Sequence, residues 1–227
     1  MRIGNLLLIV FLFLSFSNPC SAQIKAESKK GKNLNKGLFF GYGISKYRIK
    51  ESNWSQTTYR DSLDKVNSPN KNAQSIGFLL GYPLSSITSI RIKLGLDFIY
   101  NEVHFYRPNQ LDKIKLPEIA FISPIHILIS TPLQPIKPYF FTGGTFRFSL
   151  GKVDSIEGKI PTRKFDIAGD LGIGIVFKTR SFAITPELFI SKGFLNLKKP
   201  RNNLYGNVVE SYKKQIVFFQ LIVENLK

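Results

Sequence analysis

Between Ile90 and Tyr100 the chain alternates without a fault. Ile90, Ile92, Leu94, Leu96, Phe98 and Tyr100 hold the even positions, while Arg91, Lys93, Gly95, Asp97 and then Asn101 hold the odd ones. A period of two with one apolar and one polar face is a β-strand. Its apolar face, about ten residues long, matches a tilted strand crossing a bilayer better than a soluble strand of about five or six. The polar face must then look into a lumen.

The same period recurs on both sides. Gly37 to Lys50 sets Leu38, Phe40, Tyr42 and Ile44 against Phe39, Gly41, Gly43 and Ser45. Gln74 to Pro83 sets Ile76, Phe78, Leu80 and Tyr82 against Gly77, Leu79 and Gly81. Leu116 to Ser130 alternates least cleanly, with Ile119, Phe121, Ile125 and Ile127 towards lipid and Glu118 and His126 inward. Lys137 to Leu150 turns Phe140, Phe146, Phe148 and Leu150 outward and Gly143, Thr145, Arg147 and Ser149 inward. In Phe165 to Phe177, Ile167, Leu171, Ile173, Ile175 and Phe177 oppose Asp166, Ala168, Asp170, Gly172 and Gly174. Phe182 to Leu195 opposes Phe182, Ile184, Leu188, Ile190 and Phe194 to Thr185, Glu187, Ser191 and Gly193. Lys214 to Leu226 opposes Val217, Phe219, Leu221 and Val223 to Gln220 and Glu224. Glycine, serine and threonine suit the inner face of a narrow barrel.

The connections differ in length. Leu84 to Ser86, Thr131 to Pro135 and Lys178 to Ser181 are short turns, whereas Glu51 to Asn72, Arg107 to Lys115, Gly151 to Lys164 and Asn196 to Tyr212 are longer polar loops. Short turns on the periplasmic side and long loops outside are the asymmetry of outer-membrane barrels. The pattern therefore predicts an all-β fold: an eight-stranded antiparallel up-and-down transmembrane barrel. An even strand count closes the sheet without an exposed edge. A water-soluble barrel of the same size would have to pack the phenylalanine faces inward and expose Arg91, Lys93 and the glycines.

The first residues supply the compartment. Arg2 precedes an apolar run from Leu6 to Phe16, and Cys20-Ser21-Ala22 offers small residues for signal-peptidase cleavage after Ala22. The run is short for a retained membrane anchor, and Pro19 is a poor residue to precede a lipidated cysteine. The expected organisation is a signal peptide over residues 1–22, a basic periplasmic tail over 23–36 and a barrel over 37–227. Cys20 is the chain's one cysteine, so a mature chain cut after Ala22 forms no disulfide.

The formal charge of +17 would suggest nucleic acid in a cytoplasmic protein. In an exported chain the anionic partners are outer-membrane lipid headgroups and lipopolysaccharide phosphates, or the lysines of a lysine-rich proteome only keep the exported protein soluble. In either case they lack the aromatic interleaving of a nucleic-acid surface. The mean hydropathy of -0.03 agrees with apolar residues hidden at every second position.

No catalytic constellation emerges. His104 and His126 fall on different strands near opposite ends, with no thiolate and no metal-ligand spacing. Gly172-Ile173-Gly174 lacks the third glycine and the helix of a dinucleotide fingerprint. The expectation is a protein that is not an enzyme and takes no cofactor, metal or small-molecule substrate. The inward charges Lys93, Asp97, Arg147, Asp170 and Glu187 form the candidate site, a lumen charge network. Such charges must pair or hold water. They read either as a salt-bridged plug or as a proton or ion path, and Arg147 and Asp170 are expected to pair directly.

The succession LPEIAF, KPYFFTGGTFRFSL, FDIAGDLGIGIVF and FAITPELFISKGFLNL resembles the PorT/SprT family of Bacteroidota outer-membrane proteins. The resemblance covers most of residues 37–227 apart from the loops. It implies an accessory part in type IX secretion and gliding, with other secretion-system proteins as partners. It carries no catalytic residue, and its nearest transferable positions, Pro186 and Glu187, would be structural. The rival readings are an adhesion-type or structural barrel acting through its outer loops, and a narrow pore.

Overall fold

The computed structural model describes residues 34–52, 65–131, 136–150, 162–179, 181–199 and 208–225. All of them lie in one unit, Lys32–Lys227. The expected signal peptide and its cleavage site lie outside the described residues. So do residues 132–135 of the expected second short turn.

Nine strands follow one another: β1 (Asn35–Glu51), β2 (Lys65–Asn67), β3 (Lys71–Pro83), β4 (Thr88–Arg107), β5 (Gln110–Ser130), β6 (Ile136–Ser149), β7 (Phe165–Lys178), β8 (Phe182–Gly193) and β9 (Val209–Asn225). Eight of them form an antiparallel ring in the order β4-β3-β1-β9-β8-β7-β6-β5, closed by pairing of β5 with β4. The short β2 pairs with β4 at Lys65–Tyr106 to Asn67–His104, beyond the point where β3 leaves it. Ser68 bridges the break between β2 and β3: its hydroxyl accepts from the Tyr47 amide at 3.0 Å and donates to the Glu102 carbonyl at 2.7 Å.

The lipid-facing assignments hold on every long strand. Phe40, Tyr42, Phe78, Leu94, Ile119, Phe140, Leu171, Leu188 and Phe219 are all exposed, forming a continuous apolar belt around the ring. An exposed belt of this extent has no place in water and fits a bilayer.

Two prolines interrupt the ladders where a ring nitrogen has no proton to donate. The β4–β5 pairing skips between Ile92–Ile125 and Gly95–Ile122, at Pro124. The β7–β8 pairing skips between Gly174–Glu187 and Phe177–Ile184, at Pro186.

The strands run past the membrane at one end, and there the expected loops are corrected. Arg107 to Lys115 is not a loop: β4 and β5 continue to a turn at Pro108 and Asn109. The first loop is shortened by β2 and by β3 starting at Lys71, and the fourth by β9 starting at Val209. At the other boundary β1 begins at Asn35, inside the expected tail. The reason for the longer strands is an inversion of the alternation. Along β4 the outward row changes from Tyr100 to Glu102 and His104, while the inward row changes from Asp97 to Val103 and Phe105. Beyond the belt the barrel becomes polar outside and apolar inside, as in a water-soluble sheet. Tyr47, Val66, Val103, Phe105, Ile114, Leu116, Leu197, Val208, Val209 and Tyr212 pack there as one buried cluster. That cluster stabilises the extensions by burying apolar area in the ordinary way.

The two ends are distinguishable by labelling. A single cysteine at Asn109 in otherwise cysteine-free protein is expected to react with a membrane-impermeant maleimide on intact cells, and one at Ser85 or Thr179 is not. A cysteine at Val66, which a loop would expose, is expected to stay unreactive because Val66 is buried. Labelling at Ser85 with the outer membrane intact would reverse the orientation.

Candidate functional site

Alternation brings the inward charges together, and glycine makes room for them. Gly41 lies opposite Gln220, Gly174 opposite Glu187, and Gly143 opposite both His126 and Asp170. Gly77 lies opposite Phe39, where an added Cβ would come within 2.8 Å of the ring. A small residue across from each large one lets a narrow barrel fill without voids.

Lys93, Asp97, Arg147, Asp170 and Glu187 are all buried in the interior. They divide between two networks. In the first, nearer the short turns, the Glu187 carboxylate accepts from Arg91, from the Tyr139 hydroxyl and, at 2.6 Å, from the Lys93 ammonium. Arg91 also meets Glu224 at 3.3 Å, and Lys93 donates to the Gln220 carbonyl oxygen at 2.6 Å. The ammonium further lies 5.6–5.8 Å from the ring centres of Phe39, Phe141 and Phe189. A fully enclosed lysine is tolerable only with a carboxylate and such quadrupoles around it.

The second network centres on Asp170. It meets His126 Nε2 at 3.0 Å, accepts from Ser191 at 2.5 Å and accepts from the Thr145 hydroxyl. Arg147 donates to Ser191 at 2.7 Å and pairs with Asp97 at 3.5 Å and Asp166 at 4.0 Å. The expected direct pairing of Arg147 with Asp170 is therefore corrected to a serine bridge. Register is the cause: Arg147 stands opposite Asp166 across β6–β7, and Asp170 stands opposite Gly143, about 13 Å along the strand. A third pair caps the charged zone, where Lys214 meets Glu118 at 2.5 Å and Ser149 donates to the same carboxylate at 2.5 Å.

Arg91, Glu118, His126, Asp166, Lys214 and Glu224 also join the network, beyond the five expected from the sequence. Their signal was present, since each sits in an inward phase of its strand. Among the described residues the interior holds four cations, Arg91, Lys93, Arg147 and Lys214, against six carboxylates. His, Asp and Ser meet here, but Ser191 and His126 both bond the same carboxylate, so the histidine is not placed to activate the hydroxyl. No group of three metal-ligating side chains is found among the described residues. At the short-turn mouth a recess of roughly 340 Å³ is lined by rim residues such as Ser85 and Lys137, and by Arg91, Tyr139 and Glu224.

The second network yields a prediction. Arg147→Leu and Asp97→Leu should each destabilise the barrel, and their combination should recover ~0.5–3 kcal/mol relative to the sum, because the partners are in contact. Arg147→Leu with Asp170→Leu should recover less, because Ser191 stands between them. Urea unfolding in lipid vesicles measures both cycles. Equal recovery in the two would contradict the bridge.

No family model matches the chain, and no curated protein matches it. Solved structures do. Outer membrane protein AlkL, solved in lipid bilayers, is 12% identical, with 91% of this chain and 96% of AlkL covered and a TM-score of 0.51. OprG from Pseudomonas aeruginosa is 11% identical over 84% of this chain and 95% of its own, with a TM-score of 0.46. Neisserial surface protein A is 13% identical over 84% of this chain and 96% of its own, with a TM-score of 0.43. At these identities the likeness concerns the fold. The closed ring, the apolar belt and the fold of AlkL together define the class: this chain is an integral outer-membrane β-barrel of the small eight-stranded type.

Proposed function

We propose that this barrel is an accessory component of type IX secretion and gliding, acting through its two ends and its outer wall rather than through its lumen. The observation that carries the surface-acting part is the filled interior. Lys93, His126, Phe141 and Glu187 are sealed from solvent across the ring, Phe39, Leu79, Ile122 and Ile222 pack among the charges, and an apolar cluster lies beyond them at the end away from the short turns. The assignment to type IX secretion rests on the strand succession that resembles the PorT/SprT family. In this reading the partners are outer-membrane lipid, lipopolysaccharide and other secretion proteins, and neither nucleic acid nor a small-molecule substrate is involved. The barrel performs no catalysis and serves as a fixed membrane platform.

Deleting the gene and measuring export of type IX cargo tests the proposal. Export should fall, and substitutions at the Leu84–Ile87 turn should reproduce the defect without unfolding the barrel. Normal export in the deletion would refute it. The rival is an adhesion-type barrel, favoured by the rigid β4–β5 hairpin that the outer apolar cluster holds clear of the lipid belt. In that case changes at Pro108 and Asn109 would abolish cell attachment while export stayed intact. Purified barrel in planar bilayers should show no steady conductance.

A further inference from the structure

The inversion that ends the lipid belt leaves an unusual outer wall on β8, β9 and β1. Outward positions on β1 run Leu38, Phe40, Tyr42 and Ile44, then Lys46, Arg48 and Lys50. On β9 they run Val223, Leu221, Phe219 and Val217, then Gln215, Lys213 and Ser211, and on β8 Ile190 is followed by Lys192. Register puts these changes at one height: Lys46 pairs with Gln215, Gln215 with Lys192, and Arg48 with Lys213. Five cations therefore share one face just beyond the apolar belt. Among the described residues, the ion pair made by these five is Lys50 with Glu210 at 2.8 Å, at the patch's far edge. Arg48 reaches across β9 to donate to the Gly193 carbonyl at 3.3 Å, which fixes its guanidinium between β1 and β8.

Cations gathered on one face at a bilayer interface attract the phosphates of anionic lipid headgroups. With strands ~4.8 Å apart and outward side chains ~6.6 Å apart along each strand, the patch spans roughly 10 by 13 Å. That area exceeds one phosphate and suits two held at a fixed separation. Directly below it, Ile44, Val217, Phe219, Leu188 and Ile190 offer an apolar wall for acyl chains. We propose that this wall is a binding site for a doubly phosphorylated glycolipid of the outer leaflet. Lys46, Arg48, Lys192 and Lys213 clamp the phosphates and Gln215 hydrogen-bonds the sugar between them. Arg48 is the preorganised member, and the others close on the headgroup. This inference does not depend on a role in secretion.

The test uses the full barrel refolded in phosphatidylcholine vesicles. Bis-phosphorylated lipid A is titrated in, and the shift in thermal unfolding is read by heat-modified gel mobility. Wild type should be stabilised saturably. Arg48→Gln with Lys213→Gln should need at least tenfold more lipid A for the same shift. Lys113→Gln with Lys115→Gln, which removes the same charge from the outward row of β5, should bind as wild type does. Lipid A stripped of phosphate, or phosphatidylglycerol at equal charge, should give no saturable shift. Equal loss in the β5 control, or equal stabilisation by phosphatidylglycerol, would overturn the site in favour of bulk attraction. Should the double variant fail to fold, Lys192→Gln is read against the same titration, and wild-type affinity there would also overturn it.

Discussion

Glu187→Leu is expected to cost ~3–5 kcal/mol, the range for a buried ion pair stripped of one partner. The cost is large because one carboxylate serves three donors, Arg91, Lys93 and Tyr139. Without it, the Lys93 ammonium keeps Gln220 and three ring faces but has no counter-charge in contact. Lys93→Met in the same chain should return a substantial part of the loss, since the lysine is then no longer stranded. Recovery should be incomplete: Arg91 keeps Glu224, but only at 3.3 Å. Urea unfolding in lipid vesicles measures both variants against wild type. A Glu187→Leu barrel as stable as wild type would mean that the first network does not bind the interior together.

Leu94→Arg should cost ~2–4 kcal/mol, the penalty for a cation on the lipid face near the bilayer midplane. Leu94 is 46% exposed, within the belt, and its neighbour Lys93 is 0% exposed. One residue along, Gly95→Ala should also destabilise, but for a different reason. Its Cβ would press on the Ile76 carbonyl oxygen and lie 2.7 Å from the Phe39 ring. Backbone cannot yield as a flexible side chain does, so this cost is steric and independent of the surrounding lipid. Substituting Leu94 with Gln should give an intermediate loss, whereas Gly95→Ser should be at least as harmful as Gly95→Ala. A Leu94→Arg barrel that assembled at full stability would place this row of β4 away from lipid.

The filled interior connects these two results to function. Four cations and six carboxylates are buried in the interior of the described residues, with apolar side chains packed among them and beyond them at one end. What such a barrel presents to its surroundings is its two ends and its wall.

Much of this was legible in the chain itself. Alternation identified which residues of β1, β3, β4, β6, β7, β8 and β9 face lipid, because a membrane strand shows its environment at every second position. Even the irregular Leu116 to Ser130 was correctly phased, since Ile119 to Ile127 keep one parity through Pro124. Strand ends were less legible. Past Tyr100 the apolar row moves to the other face, and a stretch such as Arg107 to Lys115, read by its polar outward residues, passes for a loop. Only the partner rows from β1, β2 and β9, closing around Val103 and Phe105, show it to be strand.

The inward charges were likewise legible as a set but not as pairs. Each residue's phase follows from its own strand, which is a local property. Which acid meets Arg147 depends on the stagger between β6 and β7, and on Asp97 arriving from β4, far away in sequence. Charge pairing in a closed barrel is thus decided by shear and register, which belong to the assembled ring and to no single strand.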